Sequence, residues 1–307
     1  MSKLAFVFPG QGSQKVGMLN DWGDELSEAF SLASDVLGYD LWKLIQEGPA
    51  EKLNQTEYTQ PAILTLSVAI WLLAKEHGAA PNIVAGHSLG EYSALVAAEV
   101  LSFEDAVSIV QRRGQLMQSA VPVGKGGMAA ILGLEDQNIV EICRACSEKE
   151  VVEAANFNSP GQVVIAGHLD AVKRVVEVSK NTGAKRAMLL PVSAPFHCSL
   201  MEPAAIEMAS VLDTVSLREP RVKLLQNVDA EYPKTVEDIR DNLIAQMSKA
   251  VFWTSIIERM VKDGVTTVVE CGPGNVLTGL NRRIDRSIKS QRISSSKDIS
   301  IVMEALI

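Results

Sequence analysis

The sequence is sparing in the residues that build disulfide frameworks and metal centres. It holds four cysteines and four histidines among 307 residues, too few cysteines for the dense cross-linking of small secreted proteins. Cys143 and Cys146 form a C-x-x-C pair, but they lie in QNIVEICRACSEK, which has the pattern of an amphipathic helix. Because no second pair or nearby histidine completes a ligand set, we predict free helix cysteines and no metal site.

Long apolar runs and an excess of positive charge are also missing. No stretch reaches the length that spans a bilayer, and LAFVF, before Pro9 and Gly10, is too short for the core of a secretory signal. The formal net charge of -8 gives no general attraction to nucleic acid or to anionic membranes. We therefore expect a cytoplasmic protein that binds neither, and any acidic partner would need a local basic patch.

What remains is the composition of an ordinary globular protein. Hydrophobic residues make up 47% and charged residues 21% of the chain, and its length suits one large α/β domain with or without a small one. Buried strands followed by glycine turns and helices, as in KLAFVFPGQG and NIVAGHSLG, predict a mostly parallel sheet covered by helices. Helical patterns cover about 23–38, 61–77 and 89–100.

The middle of the chain has a different order of elements. From GMAAILGL to AKRAMLLPV the patterns predict strand, helix, two strands, helix and strand, which is the order of a ferredoxin-like unit. We predict that residues 123–193 form this small subdomain, inserted into a large domain made of 1–122 and 194–307. The final third returns to α/β patterns, and its tail NRRIDRSIKSQR is rich in arginine and lysine.

A candidate nucleophile lies in GHSLG, residues 86–90. The G-x-S-x-G pattern is a nucleophile elbow when a strand precedes it and a helix opens directly after the serine, and NIVAG and the segment from Leu89 supply both. The glycines relieve crowding at the turn, and the helix N-terminus favours developing negative charge. Ser88 is therefore the candidate nucleophile; the alternative is an ordinary helix N-cap.

A base for Ser88 has to come from elsewhere in the chain. His87 is adjacent, and neighbouring side chains on such a turn diverge. His77 at a helix end and His168 at a helix start are expected to be exposed. His197 lies in PVSAPFHCSLMEPA, a proline-stiffened loop that can hold an imidazole against a serine hydroxyl, and is the candidate base.

The loop FPGQGSQKVG follows the first strand. It resembles a phosphate loop, but it lacks the Gly-Lys-Ser/Thr of a Walker A motif, and Lys15 stands where a dinucleotide fingerprint needs glycine. An elbow enzyme takes one oxyanion donor from the residue after the nucleophile, here Leu89, and a second from a loop after another strand. Gln11 suits that second donor; simple turn chemistry is the alternative, and the loop alone favours neither.

Arg113 is the most informative charge. On a helical wheel for EDAVSIVQRRGQLMQ it falls inside the apolar arc defined by Ala106, Val110 and Met117. A buried guanidinium needs an anionic partner, because burying it unpaired is costly. Taken alone, the pattern favours an ion pair with a buried Asp or Glu; the alternative is a bidentate contact with a substrate carboxylate.

Six motifs together resemble one family. FVFPGQGSQ, GHSLGEYSALV, RGQLMQ, NFNSPGQVVIAG, PVSAPFHCSLM and ECGPGNVLTGL occur in the order of the malonyl-CoA:acyl carrier protein transacylases of bacterial fatty-acid synthesis. The resemblance runs from Phe6 to beyond Leu280 and is to the stand-alone enzymes. It implies an α/β-hydrolase-like core with a ferredoxin-like insert. It also implies transfer of malonyl from CoA to the phosphopantetheine thiol of acyl carrier protein without a cofactor.

The resemblance further implies roles for single residues. Ser88 would be the nucleophile, His197 the base, and the backbone N–H groups of Gln11 and Leu89 the oxyanion hole. Gln246 would orient the base through its backbone carbonyl, in place of an acidic triad member. Binding of the malonyl carboxylate would fall to Arg113, which reverses the preference for an ion pair. The other substrate-binding candidates are Met117, Asn158, Gln162 and Phe196.

Two positions bear on which acyl group is accepted. Leu89 stands where methylmalonyl-selective relatives often carry glutamine. Phe196 precedes the base as in malonyl-selective polyketide acyltransferases, whereas many discrete bacterial members have serine there. A bulky ring beside the acyl pocket predicts malonyl over methylmalonyl. Because acyl carrier protein is acidic, we also expect a basic landing site, for which the candidates are Lys185, Arg186, Arg282, Arg283 and Arg286.

Two other classes of function remain open from the residues alone. A serine hydrolase such as a thioesterase shares the elbow and the oxyanion hole. Such enzymes usually place an acid and then the histidine late in the chain, whereas about a hundred residues follow His197. A non-catalytic carrier-binding module would explain the fold, but not Ser88, His197 and Arg113 together.

Overall fold

The computed structural model describes residues 3–192 and 194–304, without the side chain of Met303. The predicted domain boundary at residue 193 and the chain ends at 1–2 and 305–307 lie outside the described residues. The strands are β1 Lys3–Phe8, β2 Ile83–Gly86, β3 Gly126–Leu132, β4 Val152–Ser159, β5 Gln162–His168, β6 Arg186–Leu189, β7 Lys223–Leu225, β8 Val265–Cys271 and β9 Lys289–Ile293.

The α-helices of the described residues cover both sheets. They are α1 Ser27–Leu37, α2 Leu41–Glu47, α3 Ala50–Leu53, α4 Thr56–Glu76, α5 Gly90–Ala97, α6 Phe103–Ser119, α7 Asp136–Cys146, α8 Leu169–Asn181, α9 Glu202–Leu212, α10 Val236–Gln246, α11 Trp253–Lys262, α12 Val276–Ile284 and α13 Ser296–Glu304. Within residues 3–192 and 194–304, none of these helices combines the length and the apolar character needed to cross a bilayer.

A parallel sheet forms the centre of the molecule. Its strand order is β7-β2-β1-β8-β9, and each neighbouring pair is parallel. Strand β1 buries Phe6 and Phe8 in one apolar cluster and Ala5 and Val7 in another, so both faces of the sheet are covered. Phe8 pairs with Gly86. Because parallel strands end at the same edge, the loop after β1 and the turn after β2 come together there.

A second, antiparallel sheet has the order β4-β5-β3-β6. Its strands and the helices α7 and α8 follow one another as β-α-β-β-α-β, which is the ferredoxin-like arrangement. The predicted fold class, a parallel α/β core with an antiparallel insert, is confirmed. The strands of this sheet lie between Gly126 and Leu189, and the domain boundaries 1–122, 123–193 and 194–307 stay a proposal.

The two sheets are joined where β4 meets the segment before α11. Asn156 bridges to Val251, and the N–H of Phe157 donates to the Val251 carbonyl at 2.9 Å. The rings of Phe157 and Phe252 stack with their centroids 5.1 Å apart. This seam holds the antiparallel sheet beside the carboxyl edge of the parallel sheet, and the candidate site lies between them.

Several element boundaries differ from the predictions. Helix α4 begins at Thr56 and contains Pro61, although proline usually marks a first turn. Helix α5 ends at Ala97 rather than residue 100, because Glu99 has φ 62°, which a helix cannot continue through. The tail forms α12 and β9. Strand β9 was missed because charged, exposed residues alternate with buried ones and hide its apolar face.

The prediction that Cys143 and Cys146 lie in a helix is confirmed. Cys143 and Cys146 lie in α7 with buried side chains, and both are free. Burial raises the pKa of the Cys143 thiol to about 12. Both residues belong to the apolar cluster under the antiparallel sheet, so they act as small hydrophobic side chains.

Candidate active site

Ser88 occupies a sharp turn between β2 and α5. Its φ is 52°, in the left-handed region that a residue with a side chain rarely adopts. A Cβ atom on Gly86 would lie 1.9 Å from the Gly90 carbonyl carbon, and one on Gly90 would lie 2.0 Å from the Phe8 carbonyl oxygen. Glycine is therefore required on both sides of the turn, which is the physical content of G-x-S-x-G.

His197 lies directly against this serine. Its Nε2 is 2.7 Å from Ser88 Oγ, and its Nδ1 is 2.7 Å from the backbone carbonyl oxygen of Gln246. A carbonyl only accepts, so Nδ1 carries the proton and Nε2 is left to accept from the serine hydroxyl. The structure thus connects the Ser88 hydroxyl, the imidazole and a backbone carbonyl by consecutive hydrogen bonds, with the carbonyl where a triad would have an acid.

The imidazole is held in its neutral form. His197 is 4% exposed. Burial, and after it the nearby charge of Arg113, lower the pKa of His197 to about 3. A neutral imidazole is the form that can take a proton from the serine.

Arg113 is fully buried beside the nucleophile, at 0% exposure. Its guanidinium donates to Gln60 Oε1 at 2.9 Å and to Gln246 Oε1 at 2.7 Å. Its Nη2 also lies 3.3 Å from Ser88 Oγ, and its Nε has no hydrogen-bond partner. Among the residues that the structure describes, no carboxylate lies within 4.0 Å of this guanidinium. The direct ion pair that the pattern alone favoured is therefore not formed.

The two oxyanion candidates come from adjacent loops at the carboxyl edge of the sheet. Gln11 follows β1, and a Cβ atom on its neighbour Gly10 would lie 2.6 Å from the His87 carbonyl oxygen, so this loop runs against the elbow. Leu89 begins the turn into α5, where backbone N–H groups have no partner within the helix. The Gln11 side chain accepts from Gln60 Nε2 at 3.3 Å.

A cavity of about 600 Å³ opens onto this arrangement. The predicted residues that line it are Gln11, Ser88, Asn158, Gln162, Phe196 and His197. Asn158 Oδ1 is 2.7 Å from His87 Nε2 in the turn after β2, and Gln162 Oε1 accepts from Arg283 in α12, so both amides connect the antiparallel sheet to the other side of the cleft. Met117 is set apart: it is buried with its Sδ 3.6 Å from Gln60 Nε2, behind the guanidinium.

The remaining three histidines make contacts away from the Ser88 hydroxyl. His77 is exposed at the end of α4, with Nδ1 2.9 Å from the Leu73 carbonyl oxygen. His168 was expected to be exposed, but it is half-buried because its Nδ1 accepts from the Val151 N–H. His87 tilts against Trp253, with the ring centroids 5.6 Å apart.

Three residues that sequence reasoning missed complete the site. Gln60 holds one side of Arg113. The Asn227 side chain accepts from the Ser88 N–H at 2.6 Å and donates to the Gly86 carbonyl at 2.6 Å. These two bonds fix the backbone of the turn on either side of His87. Glu91 is fully buried in the first turn of α5. It stands in the quoted motif GHSLGEYSALV, where an acid among small buried residues was the one available signal.

The buried carboxyl group of Glu91 has a pKa well above its usual range. Burial raises the pKa of Glu91 to about 7, while hydrogen bonds from Gln246, Gln226 and the Asn227 N–H oppose the rise. The assembled site therefore joins a serine, a neutral imidazole and a buried cation. Such a site can accept an acyl group onto Ser88, and the cation suits an acyl group that ends in a carboxylate.

The chain matches a known protein family and is similar to named proteins. The family model described as an acyl transferase domain matches residues 5–297. The malonyl CoA-acyl carrier protein transacylase of Haemophilus influenzae is 49% identical, with 100% of both chains covered. That of Escherichia coli strain K12 is 49% identical over 99% of this chain and 100% of its own length.

Solved structures agree with these relatives. An acyl carrier protein S-malonyltransferase from Vibrio cholerae is 50% identical, covers 98% of this chain and 100% of its own, and superposes with a TM-score of 0.95. A malonyl-transacylase solved in complex with its type II PKS acyl-carrier protein is 46% identical, covers 99% of this chain and 100% of its own, and has a TM-score of 0.97.

Proposed function

We propose, because the chain belongs to the acyl transferase family of malonyl-CoA:acyl carrier protein transacylases, that it catalyses the reaction for which those relatives are named. It transfers malonyl from malonyl-CoA to the phosphopantetheine thiol of acyl carrier protein in type II fatty-acid biosynthesis. As proposed, malonyl-CoA and acyl carrier protein bind in turn to one site, and malonyl rests on Ser88 between them.

The observation that carries the proposal is the buried guanidinium of Arg113. It lies 3.3 Å from Ser88 Oγ with amide partners and, in the described part of the chain, no carboxylate within 4.0 Å. A cation in this setting gains from any anion placed beside it. The free carboxylate of a malonyl group would supply that anion and fix the acyl group against the nucleophile, whereas a neutral ester would leave the cation unused.

The first half-reaction loads the serine. His197 Nε2 takes the Ser88 proton while Oγ forms a bond to the thioester carbonyl carbon. The N–H groups of Gln11 and Leu89 would stabilise the oxyanion of the tetrahedral intermediate. The C–S bond then breaks, the proton passes from His197 to the departing sulfur, and CoA leaves as a thiol with malonyl ester-linked to Ser88.

The second half-reaction unloads the serine by the same groups. The phosphopantetheine thiol gives its proton to His197 Nε2, and its sulfur attacks the ester carbonyl. The C–O bond to Ser88 breaks, and Oγ recovers the proton from His197. Each proposed step uses side chains and backbone of this chain alone, so we propose no cofactor. Because both substrates belong to fatty-acid synthesis, we also propose a cytoplasmic location.

Acyl selectivity follows from the pocket beside the serine. Leu89 is fully buried and Phe196 is 8% exposed, and Phe196 lines the cavity with Ser88. A ring at this place leaves little room for a methyl branch on the α-carbon. We propose malonyl over methylmalonyl, and equal rates of Ser88 acylation by the two CoA esters would contradict this.

Intact-protein mass spectrometry tests the function directly. Incubation with malonyl-CoA is expected to add one malonyl group to Ser88, and subsequent addition of holo acyl carrier protein is expected to move it to the carrier. Loss of the adduct to water at the same rate without carrier would indicate a hydrolase. A folded protein that never acquires the adduct would refute both, and the Ser88→Ala variant is the control for the site of attachment.

Replacing Arg113 tests the proposed contact with the carboxylate. The Arg113→Met variant is expected to lose about a hundredfold or more in kcat/KM for malonyl-CoA, because a charge-assisted bidentate contact is removed. Acetyl-CoA has the same thioester and no carboxylate, so its acylation rate is expected not to fall. Parallel loss with both donors would mean that Arg113 serves the structure of the site and not the recognition of the acyl group.

A further inference from the structure

Glu91 is a fully buried carboxylate to which the proposed mechanism gives no role. It stands in the first turn of α5, three residues after Ser88. Its oxygens accept from Gln246 Nε2 at 2.7 Å, from Gln226 Nε2 at 3.1 Å and from the Asn227 N–H at 3.2 Å. Three donors from two distant segments therefore converge on one acid and provide the hydrogen bonds that a buried carboxylate needs.

The Gln246 side chain links this acid to Arg113. Its Oε1 accepts from Arg113 Nη2 at 2.7 Å, and its Nε2 donates to Glu91 and to the Ser88 carbonyl, the latter at 3.0 Å. A guanidinium can only donate, and a carboxylate or carbonyl can only accept, so one orientation of the amide satisfies all three neighbours. Glu91 and Arg113 thus face opposite ends of a single oriented amide.

This arrangement acts on the guanidinium in two ways. Hydrogen bonds in series inside a protein polarise one another, so the bond from Gln246 to a carboxylate strengthens its carbonyl as an acceptor for Arg113. Above about pH 7, where Glu91 is ionised, the carboxylate also supplies negative charge near a buried cation that has no direct acidic partner among the described residues. At the same time the backbone carbonyl of Gln246 accepts from His197 Nδ1, so one residue is hydrogen-bonded to both His197 and Arg113.

We propose that Glu91 is a positioning residue for acyl-group selection, which holds the Arg113 guanidinium beside Ser88 through the side-chain amide of Gln246. The inference rests on the proposed function, because it assumes that Arg113 meets the carboxylate of the acyl donor. Glu91 itself touches no substrate. Its effect is therefore on how strongly a carboxylate-bearing donor is preferred over a neutral one.

The Glu91→Gln variant tests this role by keeping the shape and removing the charge. A glutamine places an NH2 group, which can only donate, where one carboxylate oxygen accepts, so at least one of the three N–H donors loses its acceptor. We expect the ratio of kcat/KM for malonyl-CoA to kcat/KM for acetyl-CoA, measured as single-turnover acylation of Ser88, to fall about tenfold or more. A purely structural role would lower both rates together and leave the ratio unchanged, which would overturn the proposal.

Glu270 provides a matched control. It is also fully buried and accepts three hydrogen bonds, from the N–H groups of Leu277 and Thr278 and from the Thr278 hydroxyl. Its bonds tie β8 to the start of α12 and do not reach Arg113. The Glu270→Gln variant is expected to change stability and to leave the malonyl-to-acetyl ratio at the wild-type value.

A double-mutant cycle separates action through Gln246 from other effects. Gln246→Met removes the amide but keeps the backbone carbonyl that His197 uses, and it is expected to lower the ratio as Glu91→Gln does. Adding Glu91→Gln to Gln246→Met is then expected to lower the ratio no further. Additive losses would overturn the proposal. If the Glu91 variant fails to fold, an unchanged ratio in Gln246→Met would overturn it without the cycle. Wild-type protein without a malonyl adduct would instead refute the proposed function.

Discussion

At the scale of single residues, the surroundings of His197 lower the pKa of its imidazole in the protein without substrate. Burial of His197, and after it the nearby charge of Arg113, hold the pKa of the imidazole near 3. A carboxylate bound at Arg113 would remove the second of these causes. The substrate that fits the site would therefore also raise the basicity of the residue that has to take the serine proton.

The pH dependence of acylation follows from this shift. With acetyl-CoA as donor, which leaves Arg113 unpaired, kcat/KM for Ser88 acylation is expected to stay level from about pH 8 to about pH 5, because His197 remains neutral. Single-turnover acylation measured across this range checks it. A fall in the rate centred on the ordinary histidine pKa of 6.5 would contradict it.

The same shift makes stability depend on pH with a definite sign. The unfolded chain binds a proton at His197 below pH 6.5, whereas the folded chain does so only near pH 3. The contribution of His197 to the free energy of unfolding is therefore fully present above pH 6.5 and is lost as pH falls toward 3. Urea unfolding of wild type and of His197→Gln at several pH values measures this contribution. The difference between their free energies of unfolding is expected to shrink as pH falls from 6.5 toward 3.

Single residues were predictable from sequence where a local pattern marks them. Ser88 stands in a motif whose glycines have a steric reason, and His197 follows a proline-stiffened turn. Gln60, Glu91 and Asn227 carry no such mark, because their roles come from partners far away in the chain. Glu91 and Gln226 are 135 positions apart, and Ser88 and Asn227 are 139 apart.

At the scale of elements, the elbow depends on how closely α5 packs onto β1. Gly90→Ala would place a Cβ 2.0 Å from the carbonyl oxygen of Phe8 in the central strand, and neither backbone can yield without disturbing the sheet. We expect a loss of about 3 kcal/mol or more in the free energy of unfolding, together with loss of acylation.

Gly279 is the control for that substitution. It lies in the interior of α12, and a Cβ there would meet nothing within 4 Å. Gly279→Ala is expected to be neutral or to stabilise by up to about 1 kcal/mol, because alanine is the better helix former. Urea unfolding of both variants measures the contrast, and similar losses in the two would refute the steric explanation of the elbow.

Elements with strong periodicity were predicted and those with mixed signals were not. The β-α-β-β-α-β order around α7 and α8 follows from alternating apolar strands and amphipathic helices, and the structure has it. Strand β9 was read as a charged tail, since Lys289 and Arg292 face solvent and its pairing with β8 lies in tertiary structure. The early start of α4 was missed because Thr56, Thr59 and Gln60 are polar yet buried.

At the scale of the molecule, the cleft between the two sheets is where both substrates would enter. Arg283 reaches across it to Gln162, and Arg282 is exposed beside it with Nη2 3.1 Å from the Ser290 carbonyl oxygen. Both belong to the basic residues proposed as a landing site for the acidic carrier. Arg186 in β6 is also exposed, so the proposed site would span both parts of the chain.

Charge reversal tests the landing site. Arg282→Glu is expected to raise KM for holo acyl carrier protein several-fold, because an attractive charge becomes repulsive, and the effect should shrink at high salt. Free pantetheine carries the same thiol without the protein, so its rate of malonyl uptake from Ser88 is expected to be unchanged. An unaltered KM for the carrier would remove Arg282 from the site.

The backbone conformation at Ser88 and His197 bears on which residues folding would favour at these two positions. Ser88 and His197 both lie in the left-handed region, with φ of 52° and 61°, where a side chain costs about 1–2 kcal/mol and glycine does not. A duplicate gene no longer selected for acyl transfer could drift to glycine at either position without that strain. By backbone strain alone glycine would be favoured at both turns, and the serine and histidine found there are the residues that the proposed acyl transfer requires.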